Sequence, residues 1–198
     1  MIYEVLQIVT DEVNNYLSGL DMDKSVQLDN IAVIDQDQSD TTIDMEDCVV
    51  LTLLNMDEEK TLKNFPNIRK TGANVDYLNK TINLNLYVLF SANRSSYIKS
   101  LKDISKIIEF FQGKHLFTQG NSDYDRDNIS MEGLKDFRFT VELYTPTFEE
   151  LNFIWGTLGG KQYPSALYKL SLIEIERSVV QKRSERVDNV ELLTKRTS

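Results

Sequence analysis

T-F-E-E-L-N-F-I-W-G-T-L-G-G-K-Q-Y-P-S-A-L-Y-K, running from Thr147 to Lys169, carries the chain out of a helix and into a strand. Thr147 and Glu150 form a T-x-x-E capping box, in which each residue satisfies a backbone N–H that a helix start leaves open. Phe148, Leu151, Trp155 and Leu158 then fall on one side of the predicted helix. Gly159-Gly160 ends it, because glycine takes the left-handed backbone of a helix stop without a steric penalty. Tyr163-Pro164 leads into a final strand predicted from about Ala166 to Arg177, with Val180 as its furthest limit. The same glycines have the outline of a phosphate-binding loop, but the first glycine of that motif is replaced by Trp155 and its Ser or Thr by Gln162. The stretch is structural.

Working outward, the apolar residues keep changing period. Ile2, Leu6, Val9, Val13 and Tyr16 follow steps of four and three, which predicts an amphipathic helix stopped by Gly19. Val26 to Ile34 reads as a strand with broken alternation. Residues 35–47 are polar and acidic, as in an exposed loop, and Cys48 to Leu54 is a nearly continuous apolar run expected to form a central strand. A solvated connection follows. From Lys80 to Phe90, Ile82, Leu84, Leu86, Val88 and Phe90 share one face while Asn83, Asn85 and Tyr87 share the other, a clear period of two. Ser95 or Ser96 caps a helix with Tyr97, Leu101, Ile104, Ile108 and Phe111 on its packing face, closed at Gly113. After Leu116-Phe117-Thr118 and an acidic loop, Phe137, Phe139, Val141 and Leu143 alternate with Arg138, Thr140 and Glu142. The order α-β-β-β-α-β-α-β has no β-α repeat. It predicts an α+β fold with a mainly antiparallel, mixed sheet packed by about three helices.

Composition narrows the chemistry. The 198 residues, 41% hydrophobic and 27% charged, suit one well-filled domain. No apolar run is long enough for a membrane span, and Met1 to Glu12 lacks the features of a secretory signal, so a cytoplasmic chain is expected. With Cys48 the only cysteine and His115 the only histidine, one chain holds neither a disulfide nor a multi-thiolate or multi-imidazole zinc site. Cys48 reads as a plain buried thiol. The net charge of −9 disfavours general binding to nucleic acid or anionic membrane.

Other candidate chemistry is weak. Asp35, Asp37, Ser39 and Glu46 match positions of a calcium loop, but Asp40 stands where its glycine is needed and the flanks are not helical. Asp123, Asp125 and Asp127 have metal-like spacing without the closing glutamate. A serine-type triad would depend on His115, with no G-x-S-x-G elbow beside it. Paired carboxylates have no local signature, and among 31 acidic residues no pair stands out. The expectation is no enzyme activity, no metal and no cofactor.

Two groups of residues point instead to partner binding. Tyr163 and Tyr168 flank Pro164 at an expected edge, and tyrosine is enriched at subunit interfaces for its apolar body and polar tip. From residue 177 onward Arg177, Lys182, Arg183, Arg186, Lys195 and Arg196 outnumber three acids, a net +3 that leaves −12 for the residues before them. An acidic domain over 1–177 and a basic C-terminal arm over 178–198 are the expected organisation. Such an arm suits strand addition to a partner's open sheet edge.

Several blocks, in order, carry a family resemblance. Met1-Ile2, Leu6, Val9-Thr10, Asn14-Asn15 and Tyr16-Leu17 open the chain; V-V-L-T-L-L-N-M-D-E-E spans Val49 to Glu59 and L-N-L-Y-V-L-F-S-A spans Leu84 to Ala92. S-K-I-I-E-F-F-Q-G-K-H-L-F spans Ser105 to Phe117, and E-L-N-F-I-W-G-T-L-G with P-S-A-L-Y-K closes the set. Together they resemble the cap, or tail-terminator, proteins of phage-tail-like extracellular contractile injection systems. The resemblance covers about residues 1–177. It implies a tail-terminator-like fold and a ring, a hexamer, on the distal end of the particle, which ends polymerisation and fixes length without catalysis or cofactor. Sheath and inner-tube subunits would be the partners, with a second cap protein as a further candidate. Assembly would be cytoplasmic, in a particle either released or membrane-anchored. An adaptor or baseplate-associated ring is the nearest alternative; a carboxylate-dependent enzyme is a more distant one.

Overall fold

The computed structural model describes residues 1–22, 26–34, 47–60, 68–71, 74–79, 81–125, 128–131, 134, 137–175 and 180–185. Its organising strand is β5 (Ile82–Asn93), whose alternation places Leu86, Val88 and Phe90 on one face and Leu89 on the other, all with at most 1% exposure. β5 pairs antiparallel with β2 (Cys48–Glu58) on one side and with β8 (Ser165–Ile175) on the other. β7 (Arg138–Tyr144) follows β8, and β6 (Leu116–Thr118) closes that edge. At the opposite edge β1 (Val26–Leu28) runs parallel to β2, which makes the six-stranded sheet mixed.

Helices cover both faces of this sheet. α1 (Ile2–Ser18) and α2 (Tyr97–Gly113) lie on the face of Val49, Leu51, Val88, Phe90, Tyr168 and Leu170, forming the main core. Burial of each such side chain is worth roughly 1.5–3 kcal/mol before entropy is counted. Rings run through this core: Phe111 stands 4.5 Å from Tyr168, and Phe117 stacks on Phe139 at 5.1 Å. On the other face α3 (Phe148–Thr157) sets Trp155 against Leu89 and Leu167. The expected α+β architecture is thus present, with three α-helices among the described residues.

The differences from expectation have physical causes. Only Val26–Leu28 of the segment 26–34 is strand; the Asn30 side chain accepts a hydrogen bond from Ala32 N (3.1 Å) and starts a one-turn 3₁₀ helix at Ile31–Val33. The connection expected between Leu54 and Lys80 holds more structure, since β2 continues to Glu58 and β3 (Ile68–Thr71) pairs with β4 (Asn74–Leu78). β8 is described as far as Ile175, and the expected continuation through Arg177 lies outside the described residues. A separate strand, β9 (Val180–Glu185), completes a second, three-stranded sheet by pairing antiparallel with β4.

α2 is rotated about its axis relative to the expected face. Its buried side is Ser100, Asp103, Ile104, Ile107, Phe110 and Phe111, while Tyr97, Leu101 and Ile108 are exposed. At 3.6 residues per turn the shift is about 80°. An ion network sets this angle. The Arg94 side chain, 3% exposed, donates from Nε to buried Asp103 at 2.5 Å and from Nη1 to the Asp47 carbonyl. Asp47, held at a positive φ of 53°, accepts in turn from Ser95 N (3.0 Å) and Lys99 Nζ (2.9 Å). At its far end α2 is tied to α1, where Lys114 Nζ donates to buried Glu12 Oε1 at 2.6 Å, an oxygen that also accepts from Asp123 N at 2.7 Å.

Two predictions follow from this anchoring. The Lys99 ammonium, then Ser95, hold the Asp47 carboxyl at a pKa of about 2, below its unfolded value. The resulting stabilisation is present above about pH 4 and disappears as pH falls toward 2. Asp47→Asn removes that contribution, so its thermal midpoint declines less steeply than the parent's between pH 4 and 2, as followed by circular dichroism. Glu12→Gln should lower unfolding free energy by about 1–3 kcal/mol in urea titrations, because it discharges one end of a partly buried ion pair.

Candidate functional site

The segment that carries the helix α3 into strand β8 is built as its sequence dictates. Thr147 Oγ1 accepts from Glu150 N (3.2 Å) and Glu150 Oε2 accepts from Thr147 N (2.8 Å), so both halves of the capping box form. The Thr147 backbone N–H, followed by its side chain, holds the Glu150 carboxyl below the ordinary carboxylate range, and Tyr144 donates its hydroxyl to the other oxygen at 3.2 Å. Gly159 and Gly160 have φ of +102° and +80°, and Gly160 N reaches back to Trp155 O at 2.7 Å. The chain is then pinned to the sheet where Ala92 N donates to Pro164 O. These glycines serve a helix stop.

The two tyrosines separate. Tyr163 is half-buried, with its ring 5.8 Å from Trp155, and packs beside Leu158 between the two smaller apolar clusters. Tyr168 is 2% exposed, wedged between Phe90 and Phe111, and burial pushes its phenol up to about 12. The expectation of Tyr168 as a surface group is therefore corrected. Strand alternation sends Leu167 toward α3 and Tyr168 toward α2, and the α2 side of β8 is the main core.

Of the basic residues, Lys182 and Arg183 lie on β9, opposite Tyr77 and Asp76 of β4 respectively. Arg177, Arg186, Lys195 and Arg196 lie outside the described residues, as does the whole calcium-like stretch from Asp35 to Glu46. Asp123 and Asp125 border a small polar recess with Asp11, Asn14 and Asn15. Among the described residues no set of three or more His, Cys, Asp or Glu side chains is placed to hold a metal ion. His115 is exposed just before β6, and Cys48 is buried with Ile31 and Val50. No helix of the described residues is long and apolar enough to cross a membrane.

Two apolar surfaces were not anticipated as sites. The first is a groove of about 1210 Å³ along the outer edge of β2, between the start of α1 and the exposed flank of α3. Tyr3, Leu54, Tyr87 and Phe153 line it, and Asp29, Asp57 and Glu150 stand around it without a lysine or arginine among the lining residues. The second is the outward stripe of α2 formed by Tyr97, Ile98, Leu101 and Ile108. A sequence signal for the stripe existed, since α2 is apolar over two adjacent sectors and only one is needed for the core. The groove had none, because it is assembled from seven separate segments.

Residues 4–189 match the Pvc16 N-terminal domain family. The chain belongs to that family. Among solved structures the fold of this Pvc16 N-terminal domain is similar to a chain of the PVC sheath/tube terminator of an extracellular contractile injection system in its extended state. The TM-score is 0.65 at 12% identity, over 100% of this chain and 64% of that one. It is also similar to the anti-feeding prophage cap, a tube-terminating cap, with a TM-score of 0.57 and 14% identity over 94% of this chain and 60% of that one. The chain thus spans somewhat under two thirds of either solved relative. Comparison with curated proteins by sequence finds no match.

In this Pvc16 N-terminal domain, Tyr168→Ala should cost about 3–5 kcal/mol of unfolding free energy by opening the main core. Tyr163→Ala, at a half-buried site, should cost clearly less. Equal losses in denaturant titration would contradict the separation of the two tyrosines.

Proposed function

We propose that this chain is a structural cap that terminates the tube and sheath of a contractile injection system and so fixes particle length. The observation that carries this reading is the coincidence of family and fold: the match to the Pvc16 N-terminal domain spans nearly all of the chain, and the whole of this chain parallels part of a sheath/tube terminator chain. The mechanism is steric and adhesive. Copies close into a ring, a homohexamer in this reading, through heterologous contacts; one face of the ring fits the last layer of the particle and the other offers no surface for a further layer. In this reading the chain acts without catalysis. Assembly in the cytoplasm, within a particle later released or held at a membrane, belongs to the same proposal.

The basic arm is assigned to the particle side, where Arg177, Lys182, Arg183, Arg186, Lys195 and Arg196 face acidic sheath or tube surface. Its strand β9 already pairs with β4, so the small sheet would present the arm, with the edge of β9 that no described strand pairs offered to a partner strand. Tyr163, packed at the end of the sheet, would support the subunit contact.

Cells lacking the protein should assemble tubes of uncontrolled length by negative-stain electron microscopy, and the full chain should restore the normal length distribution. A chain truncated after Glu185, which loses Arg186, Lys195 and Arg196 but retains β9, should fold with an unchanged thermal midpoint and occupy fewer particle ends. Normal particle lengths in the absence of the protein would overturn the cap reading.

A further inference from the structure

A ring requires that each copy carry two different complementary surfaces, and two apolar surfaces of opposite character are left uncovered by the described residues. α2 turns its Ile104, Ile107 and Phe111 side to the core, yet its outward sector holds Tyr97 (68% exposed), Ile98 (67%), Leu101 (45%) and Ile108 (40%). At 100° per residue these four fall within a sector of about 100°, the width of a docking face rather than scattered surface residues. Lys99, Lys102 and Lys106 flank the stripe. Lys99 and Lys106 are already engaged by Asp47 and Glu109, while Lys102 has no partner among the described residues.

The groove beside β2 is the counterpart. Its lining is mainly apolar, with Tyr3 and Phe153 exposed at its sides, and its ionisable members are acidic. Asp57 has no partner among the described residues, and Glu150 keeps its charge because the capping box favours the carboxylate. It opens where β2 runs on past Leu51, the last residue paired with β1, so no described strand fills that side. An apolar helix face edged by lysine therefore matches an apolar groove edged by carboxylate, and one molecule carries both. The two surfaces belong to different parts of the fold, α2 packing over the core and the groove following the β1–β2 edge, so their pairing is head-to-tail and propagates from copy to copy.

We propose that the outward stripe of α2 in one copy docks into the β2-edge groove of the next copy, with Leu101 and Tyr97 seated near Phe153 and Tyr3, and Lys102 facing Asp57. This rests on the ring reading above and specifies the surfaces that close it. The interface is isologous with nothing: it joins two different patches, so a copy with one patch disabled still offers the other.

That property supplies the test, made on the full chain by sedimentation velocity across a concentration series. The parent chain should form a closed ring of about six copies. Leu101→Glu, which places a carboxylate opposite the acidic groove, and Phe153→Glu, which removes an aromatic wall of that groove, should each weaken association by about tenfold or more and run as monomers. Both substitutions are at exposed positions, and unchanged near-ultraviolet circular dichroism from Trp155 verifies folding. An equimolar mixture of the two variants should give a dimer and stop there, because only one intact stripe meets one intact groove. A parent ring that survives either substitution overturns this interface and leaves the ring reading standing, as does a mixture that remains monomeric. A parent chain that stays monomeric throughout overturns both.

Discussion

The structure depends on the two-sided burial of β5. Most strands in a sheet with one wet face alternate apolar and polar residues, but Leu86, Val88 and Phe90 on one side and Leu89 on the other are all removed from water. That single strand obliges the molecule to cover both faces: α1 and α2 over the larger core, α3 with Trp155 over the smaller one. β2 and β8 are held at fixed register on its two edges, each with one irregular step, between Leu53 and Asn55 and between Leu84 and Leu86 respectively. Bulges of this kind add twist and bend to a strand pair. The edges, the groove along β2 and the course of β8 toward the second sheet all descend from this central trio.

Local rules made much of this legible. The capping box at Thr147 and Glu150, the Gly159-Gly160 stop and the alternation from Ile82 to Phe90 are each decided by neighbours within a few residues, and each appears as read. The failures share another cause. α2 offers two adjacent apolar sectors, and periodicity cannot choose between them; buried Arg94 and Asp103 choose, by anchoring the side that includes Ser100 and Ile107. Tyr168 looked like an edge group because a Tyr-Pro-x-x-x-Tyr stretch gives no sign of which strand lies alongside. Its burial follows from Phe90 and Phe111, which are remote in sequence.

The second sheet was missed for a similar reason. β3 reads Ile68-Arg69-Lys70-Thr71 and β4 Asn74-Val75-Asp76-Tyr77-Leu78, too short and too polar to announce strands by hydrophobic pattern. β9, which pairs with β4, lies about a hundred residues further along and is as polar as they are. The register sets Asp76, whose side chain is 1% exposed, opposite position 69 on β3 and position 183 on β9, pairings that join residues far apart in sequence. The partner-binding surfaces were equally hidden. A groove contributed by α1, β1, β2, β5, β7, α3 and β8 exists only after the chain has folded.

The passage from β8 to β9 also has a mechanical meaning. β8 is clamped between β5 and β7 inside the large sheet, whereas β9 is held by β4 alone among the described strands. Tension applied at the C-terminus therefore reaches the weaker ladder first. β9 peels from β4 while β8, with neighbours on both sides and Leu170 and Ile173 in the core, keeps its register. The small sheet behaves as a yielding coupling in series with a rigid body, taking up extension at its own ladder before load reaches the strands that hold the aromatic core together.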